Sequence, residues 1–337
     1  MTMHDLRPFL ESVHEIIACH NLGTPGAYRR WNAQNTAGTR DLGLNPYGCA
    51  DAANLLYTIG HFPRDPEERE SWVEILREFQ DPDTGMYAEP THHEIHTTAH
   101  CIAALELFDA APLHPLAALA PLREPAAMER FLDELDWTEN PWNASHRGAG
   151  LYAALALAGE VSGSWEDRYF DWLWQEADPA TGFLRKGCVA PVRAGDSTSL
   201  FPHLAGTFHY LFNQEYARRP LRYPRAMIDS CLDIYHRRSY PLGGGVGFAE
   251  IDWVFCLTRS GRQTPHRDPE RRAALAAVAD DYIGFLLELD PAAHEGLNDL
   301  HALFGAVCCL AELQAALPGR IRTERPLRLV LDRRPFI

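Results

Sequence analysis

The sequence predicts an all-α fold, a single domain over 1–337 in which about six helical hairpins form an inner and an outer ring of helices. Amphipathic segments alternate along the whole chain with apolar segments rich in Ala, Gly and Cys, and the period is about 50 residues. Outer helices need one polar face, whereas helices covered on nearly all sides need small residues for close packing. Because the alternation runs from end to end, a division into two domains is disfavoured.

Apolar residues at helical spacing predict the outer helices. These are Leu6–Ala18, Glu67–Phe79, Ala126–Leu135, Glu166–Gln175, Arg225–His236 and Pro269–Leu289. Pro66, Pro125 and Pro269 lie at plausible first turns, where a missing N–H costs nothing. Strand-like alternation of useful length is confined to Leu327–Leu331.

Recurrent turns precede the apolar segments. Two of them begin with Asn-Pro-aromatic, at Asn45 and Asn140, and two share the pattern Asp-Pro-x-Thr-Gly, at Asp81–Gly85 and Asp178–Gly182. Repetition of this kind is typical of architectures built from one supersecondary unit.

Composition limits the partners and the location. A net charge of −15 and a pI of about 5.5 argue against a nucleic-acid surface, which needs a clustered basic face. No apolar run reaches the ~18 residues of a membrane span, and the N-terminus has no signal-peptide pattern. Eight cysteines without a CxxC pair predict free thiols and a cytoplasmic protein. A homo-oligomer is compatible with the sequence.

The segments Gln80–Tyr87 and Gln175–Phe183, with helices such as the one that begins near His96, resemble repeats of terpenoid cyclases and protein prenyltransferases. They are also similar to repeats of six-hairpin glycosidases and of α/α-toroid polysaccharide lyases. The resemblance covers most of the chain. It implies an α/α toroid whose central cavity is the functional site, and it implies fold far more than activity.

The segment around His92, His96 and His100 is the sharpest functional signal, because residues four apart share one helix face. Such a face can exchange protons near neutral pH or bind a divalent metal ion. Alternatively, Thr91 caps the helix and the histidines satisfy backbone groups. We expect no resident cofactor, and keep a metal ion on these three histidines as an alternative.

Other polar and aromatic residues lie at the starts of predicted inner helices, which should face the mouth of the cavity. Carboxylates there can be catalytic or can simply complement the helix dipole, and aromatic residues can bind a sugar or pack between repeats. The further catalytic candidates are Asp252, Asp299 and His301, and the substrate-binding candidates are Tyr47, Asp51, Tyr87, His92, Trp142, His203, Trp253 and Asn298. The fourth hairpin also offers Asp196, His203 and His209, and its long connection at Leu184–Ser199 is expected to be a binding loop or a surface excursion.

A polar cavity predicts an enzyme that acts by general acid–base catalysis on a hydroxylated small molecule or oligosaccharide. The expected reaction is that of a carbohydrate hydrolase, lyase or epimerase. His96 or His100 would exchange protons opposite Asp252, and Asp299 and His301 would orient the substrate.

Two alternatives stay open. The first is an isoprenoid enzyme like the terpenoid cyclases or prenyltransferases. The resemblance would then imply zinc at Asp229, Cys231 and His301, although the first two fall on a predicted outer helix. The second is a ligand-binding scaffold without catalysis.

Overall fold

The protein is helical over most of residues 3–194, 200–238 and 242–336, which the computed structural model describes. The α-helices are α1 (Arg7–His20), α2 (Pro46–Ile59), α3 (Pro66–Glu78), α4 (Glu94–Leu107), α5 (Pro125–Glu134), α6 (Pro141–Leu157), α7 (Gly163–Glu176), α8 (Lys186–Ala194), α9 (Phe201–Tyr216), α10 (Pro224–Arg237), α11 (Ala249–Gln263), α12 (Asp268–Glu288), α13 (Leu300–Ala316) and α14 (Val330–Arg333). A 3₁₀ helix spans Ala117–Arg123, and strands β1 (His4–Asp5) and β2 (Ile321–Arg322) pair in parallel. None of the described helices combines the length and apolar character needed to cross a membrane.

The six predicted amphipathic helices are confirmed as α1, α3, α5, α7, α10 and α12. Pro66 and Pro125 are the first residues of α3 and α5, and Pro269 is the second residue of α12. These helices bury only one side; in α3 the buried residues are Trp72 and Leu76.

The apolar segments form a second kind of helix, and we call α2, α4, α6, α9, α11 and α13 the core helices. In α2 every residue except Tyr57 is buried. Core helices pack in the order α2–α4–α6–α9–α11–α13, and α13 packs in turn on α2. Cys101, Cys256, Cys308 and Cys309 lie in these helices as free, buried thiols, as predicted.

The two Asp-Pro-x-Thr-Gly turns have the same geometry. Oδ1 of Asp81 accepts hydrogen bonds from the backbone and hydroxyl of Thr84, and Oδ1 of Asp178 does the same with Thr181. Each turn ends at a glycine with positive φ, 74° at position 85 and 75° at position 182. The Asn-Pro turns are also alike, because Asn45 and Asn140 both cap a core helix through their side chains. The sequence repeat is therefore a structural repeat.

Two sequence expectations need correction. The connection Leu184–Ser199 contains helix α8, and its residues 195–199, including Asp196, lie outside the described residues. The strand-like alternation at Leu327–Leu331 does not form a strand, because α14 begins at Val330. The alternation there arises because the chain runs over the ends of core helices, where Leu327, Val330 and Leu331 are buried.

The C-terminal segment, residues 317–336, covers the C-terminal ends of the core helices. Arg328 donates its backbone N–H to Thr58 at the end of α2 (2.9 Å), and Leu327 donates to the side chain of Gln314 near the end of α13 (2.7 Å). Arg333 pairs with Glu106 near the end of α4. The opposite end of the core helices, where they begin, is the end that carries the predicted site.

Candidate functional site

Polar side chains from five core helices converge in the buried centre of the protein. We call six histidines the histidine cluster: the buried His96, His100, His146, His209 and His301, together with the half-buried His92. Tyr47 lies among them, with its ring 4.4 Å from that of His92 and 4.8 Å from those of His100 and His301. The structure therefore brings together residues that are as far apart in sequence as 47 and 301.

The local structure of α4 differs from the expected cap. His93 caps the helix through its ring nitrogen, which accepts a hydrogen bond from the backbone of Ile95 (3.1 Å), and Thr91 does not. His92 therefore precedes the helix, but its ring still stacks 4.9 Å from His96. His96 and His100 lie one turn apart inside the helix and contact different partners.

Asp51 joins α2 to His100 and His301. The carboxylate is fully buried, 2.9 Å from Nε2 of His100 and 3.2 Å from Nδ1 of His301. Burial opposes ionisation of Asp51, but the two histidines outweigh it and hold its pKa well below the ordinary 3.8. Burial also lowers the pKa of His100 to about 4, so this imidazole is neutral at pH 7. Asp51 is thus an ionised acceptor for two N–H groups.

His96 joins a second group, with His146 of α6 and His209 of α9. Their ring centroids are 4.2 Å apart for His96 and His146, and 4.5 Å apart for His146 and His209. Burial lowers the pKa of all three, that of His209 to about 3, and repulsion between neighbouring histidines adds to the effect. Tyr47 forms a hydrogen bond to Nδ1 of His96.

Asp299 lies at the start of α13 and is bound by Arg30. It caps the helix by accepting a hydrogen bond from the backbone of His301 (3.0 Å) and is 2.9 Å from Nε of Arg30. The Arg30 guanidinium also lies 5.5 Å from the Tyr47 ring centroid. These contacts indicate that Asp299 positions the helix that carries His301.

Asp252 is fully buried in α11 near Glu250. Neither carboxyl oxygen has a hydrogen-bond partner among the described residues. Burial, together with Glu250, raises the pKa of Asp252 well above 3.8 and so favours the protonated form. One turn earlier, the ring of Phe248 lies 4.6 Å from His301.

The remaining candidates divide between the site and its surroundings. Trp142 belongs to the site, with its ring 5.4 Å from His146 and 5.5 Å from His209. Trp253 packs outward and donates to a backbone carbonyl of α10 (2.9 Å). Tyr87 is buried and forms a hydrogen bond through its backbone N–H to Thr98 of α4. His203 forms a hydrogen bond to the carbonyl of Leu184. Asn298 forms hydrogen bonds to Asn32 and to the carbonyls of Pro291 and His294.

A cavity of about 480 Å³ opens beside the histidine cluster, and we call it the mouth. It is lined by Trp142, Phe201 and residues 244–250. Since Trp142 contacts His146 and His209, and Phe248 contacts His301, the mouth adjoins both groups of histidines. The mouth is mainly apolar and the centre beside it is polar.

The C-terminal segment closes the centre from the other end. Phe336 is fully buried, with its ring 4.8 Å from His96 and 6.4 Å from Phe212. The buried Arg334 guanidinium donates to the Phe336 carbonyl, and burial lowers its pKa to about 10, against attraction from groups that include Asp51. Neither residue was expected in the site.

His146 was also missing from the predicted site, and His209 was expected only as a residue of the fourth hairpin and its long connection. A signal for His146 exists: when the two Asn-Pro-aromatic turns are aligned, it occupies the position of Asp51, six residues after the asparagine. His209 lies in the third turn of α9, deeper than a rule based on helix starts can find. The zinc set of the prenyltransferases is not assembled here, because Asp229 binds His266 and Arg267, both at 2.8 Å, and not His301.

A scan against protein-family models and searches of the curated proteins and of the solved structures gave no match to this chain.

Proposed function

We propose that the core helices form the inner ring of an α/α toroid and that its polar centre is an active site. The enzyme would act by general acid–base catalysis on a hydroxylated small molecule, with a carbohydrate as the favoured class. The closed order of helix contacts, in which α13 packs on α2, supports the toroid.

The buried Asp51–His301 pair carries this proposal. Asp51 accepts from Nδ1 of His301, so the proton lies on Nδ1 and the Nε2 lone pair is available. A carboxylate that orients a histidine in this way makes it a general base whose protonated form is stabilised. His301 would remove a proton from a substrate hydroxyl or C–H group delivered past Phe248, and would return it later as an acid.

The other groups would support this step. His100 shares the carboxylate and, as a neutral imidazole, adds an N–H donor without adding charge. Arg30 and Asp299 hold the start of α13, and Trp142 offers an aromatic face for a sugar ring at the mouth. Asp252 of α11 is not needed in this scheme.

The apolar lining of the mouth favours an isoprenoid substrate as a second candidate. Phe201, Val246 and Phe248 could cover a hydrocarbon chain while its polar end reaches the histidines. A scaffold that binds without turnover is the third candidate.

One substrate panel separates the three. The purified protein is incubated with neutral sugars, uronates, short oligosaccharides and isoprenoid alcohols, and products are followed by mass spectrometry and by deuterium uptake from D₂O. We expect turnover of a hydroxylated substrate, reduced about 10²–10⁴-fold in Asp51→Asn and His301→Gln. The control is His14→Gln, which changes an exposed histidine. Turnover of isoprenoids alone, or equal rates in all variants, would overturn the proposal.

A further inference from the structure

Three histidines of the cluster, His96, His146 and His209, are not used by the proposed acid–base step. They come from three successive core helices, and one ring nitrogen of each lies within 4.8 Å of the others. All three residues are buried. Neutral imidazoles that converge in this way are typical ligands of transition-metal ions.

The hydrogen bonds around His209 fix which of its nitrogens is free. Ser145 donates its hydroxyl proton to the carbonyl of Trp142 (2.6 Å), so its oxygen can only accept from Nδ1 of His209 (3.0 Å). With the proton on Nδ1, the lone pair of His209 is on Nε2. This is the pattern of a metal-binding histidine, whose other nitrogen donates to a nearby oxygen.

The other two histidines complete the set. Nδ1 of His96 is bonded to the hydroxyl of Tyr47, which leaves Nε2 of His96 for a ligand. His146 makes ring contacts with His92, His96, Trp142 and His209, and no hydrogen bond within the described residues.

The neighbouring group of Asp51, His100 and His301 is also close enough to hold an ion. Its candidate atoms, however, are already engaged, since both histidines donate to the Asp51 carboxylate. An ion there would have to replace these hydrogen bonds. Among His96, His146 and His209, which we call the histidine triad, no hydrogen bond joins one described ring to another. The triad is therefore the better metal site.

We propose that His96, His146 and His209 bind one divalent transition-metal ion, with zinc as the best fit to three neutral nitrogen ligands. Three protein ligands leave a coordination position for a water molecule or a substrate hydroxyl. Trp142, which contacts two of the three histidines, also lines the mouth, so the proposed metal site adjoins the cavity that would admit a substrate. The role of the ion toward a substrate hydroxyl rests on the proposed function; its binding does not.

The test starts with the full-length protein, stripped with a chelator and titrated with Zn²⁺ by calorimetry and elemental analysis. We expect one equivalent per chain and an increase in melting temperature. Co²⁺ should give visible absorption bands. An absence of uptake by the wild-type protein, or two equivalents, would overturn the proposal.

Variants locate the ion. His146→Gln and His209→Gln should weaken Zn²⁺ binding by more than about 100-fold. This loss is larger than that expected for a residue that only hydrogen-bonds to a metal ligand. The matched control is His203→Gln, which changes another buried histidine of α9 and should keep full binding. Unchanged Zn²⁺ binding in both triad variants would refute the assignment, and the Co²⁺ spectrum of the wild type tests it even where a variant does not fold.

The two proposals fail separately. Asp51→Asn should lose turnover and still bind one Zn²⁺. A protein that turns over a substrate but binds no metal ion disproves the metal site and leaves the acid–base proposal standing, whereas the reverse result disproves the acid–base proposal only.

Discussion

At the scale of single residues, the charge state of a buried carboxyl group depends on the hydrogen-bond donors beside it. Two imidazole N–H groups face Asp51 and favour its ionised form, whereas the Asp252 oxygens have no hydrogen-bond partner among the described residues and burial favours the protonated form. Asp51 of α2 and Asp252 of α11 therefore favour different states, ionised and neutral respectively, because only Asp51 has hydrogen-bond donors beside it among the described residues.

Asp252→Asn tests this difference through the pH dependence of stability. The pKa of Asp252 is higher in the folded protein than the 3.8 of the unfolded chain, so folding retains a proton that unfolding releases. This group therefore lowers stability as pH rises from about 4 toward its folded pKa, by about 1.4 kcal/mol per pH unit. Between pH 5 and pH 8 we expect the variant to gain stability relative to the wild type in urea unfolding.

The control for that measurement is Asp171→Asn, which changes an exposed carboxylate of α7. Its difference from the wild type should stay flat over the same pH range. A flat difference for Asp252→Asn as well would mean that Asp252 is ionised in the folded protein.

Single residues also show the limit of reading this site from sequence. Asp51 and His301 were found because they lie near the starts of core helices, where the repeat places polar residues. Asp252 and Asp299 follow the same rule, yet Asp252 has no hydrogen-bond partner among the described residues, whereas Asp299 caps a helix and binds Arg30. The position of each residue in the repeat predicted its helix and the end of the helix on which it lies. It did not predict the side chain that the residue contacts, because that side chain comes from another part of the chain.

At the scale of elements, glycine in a core helix marks a close approach. A Cβ on Gly48 of α2 would lie 2.4 Å from the carbonyl carbon of Arg29 and 2.6 Å from the nitrogen of Arg30. Gly48 therefore lets the segment that carries Arg30 lie directly on α2, beside Tyr47. Core helices are rich in small residues, as predicted, because neighbouring backbone approaches them closely.

Gly48→Ala should destabilise the protein by about 1–3 kcal/mol, because the clash is with backbone that cannot rotate away. Gly163→Ala is the matched control, since the first residue of α7 has open space around its Cβ position. There the substitution should be neutral or stabilise by up to about 1 kcal/mol. Denaturant unfolding of both variants checks this, and equal stabilities would show that the Arg29–Arg30 segment moves freely.

Asp299→Asn tests the start of α13. Asparagine still caps the helix, but the buried Arg30 loses its ion pair. We expect a loss of about 3 kcal/mol, the low end for breaking a buried pair, because Glu89 and Asp51 also attract Arg30. Asp65→Ala, at the exposed cap of α3, should cost about 0.5–2 kcal/mol. A smaller loss for Asp299→Asn than for Asp65→Ala would show that the ion pair contributes little.

At the scale of the whole molecule, the sequence predicted the alternation of amphipathic and core helices, because each kind has its own pattern of apolar residues. The bounds of α3, α5, α7, α10 and α12 agree with prediction to within a few residues. The position of the C-terminal segment against the core helices could not be predicted from the sequence. Arginine is among the residues expected at the surface, so nothing in the sequence marks Arg334 as buried, and its partner groups lie far away along the chain.

Phe336→Ala tests whether this segment holds the centre together. The ring is fully buried against His96 and Phe212, so its removal leaves a cavity under the histidine cluster. Truncation of a buried phenylalanine costs about 3–5 kcal/mol, and we expect a loss of that size in urea unfolding. Leu113→Ala removes a side chain that is 60% exposed and should change stability by less than about 0.5 kcal/mol. If the two variants are equally stable, the C-terminal segment lies outside the cooperative core, and the end of the site opposite the mouth is open to solvent.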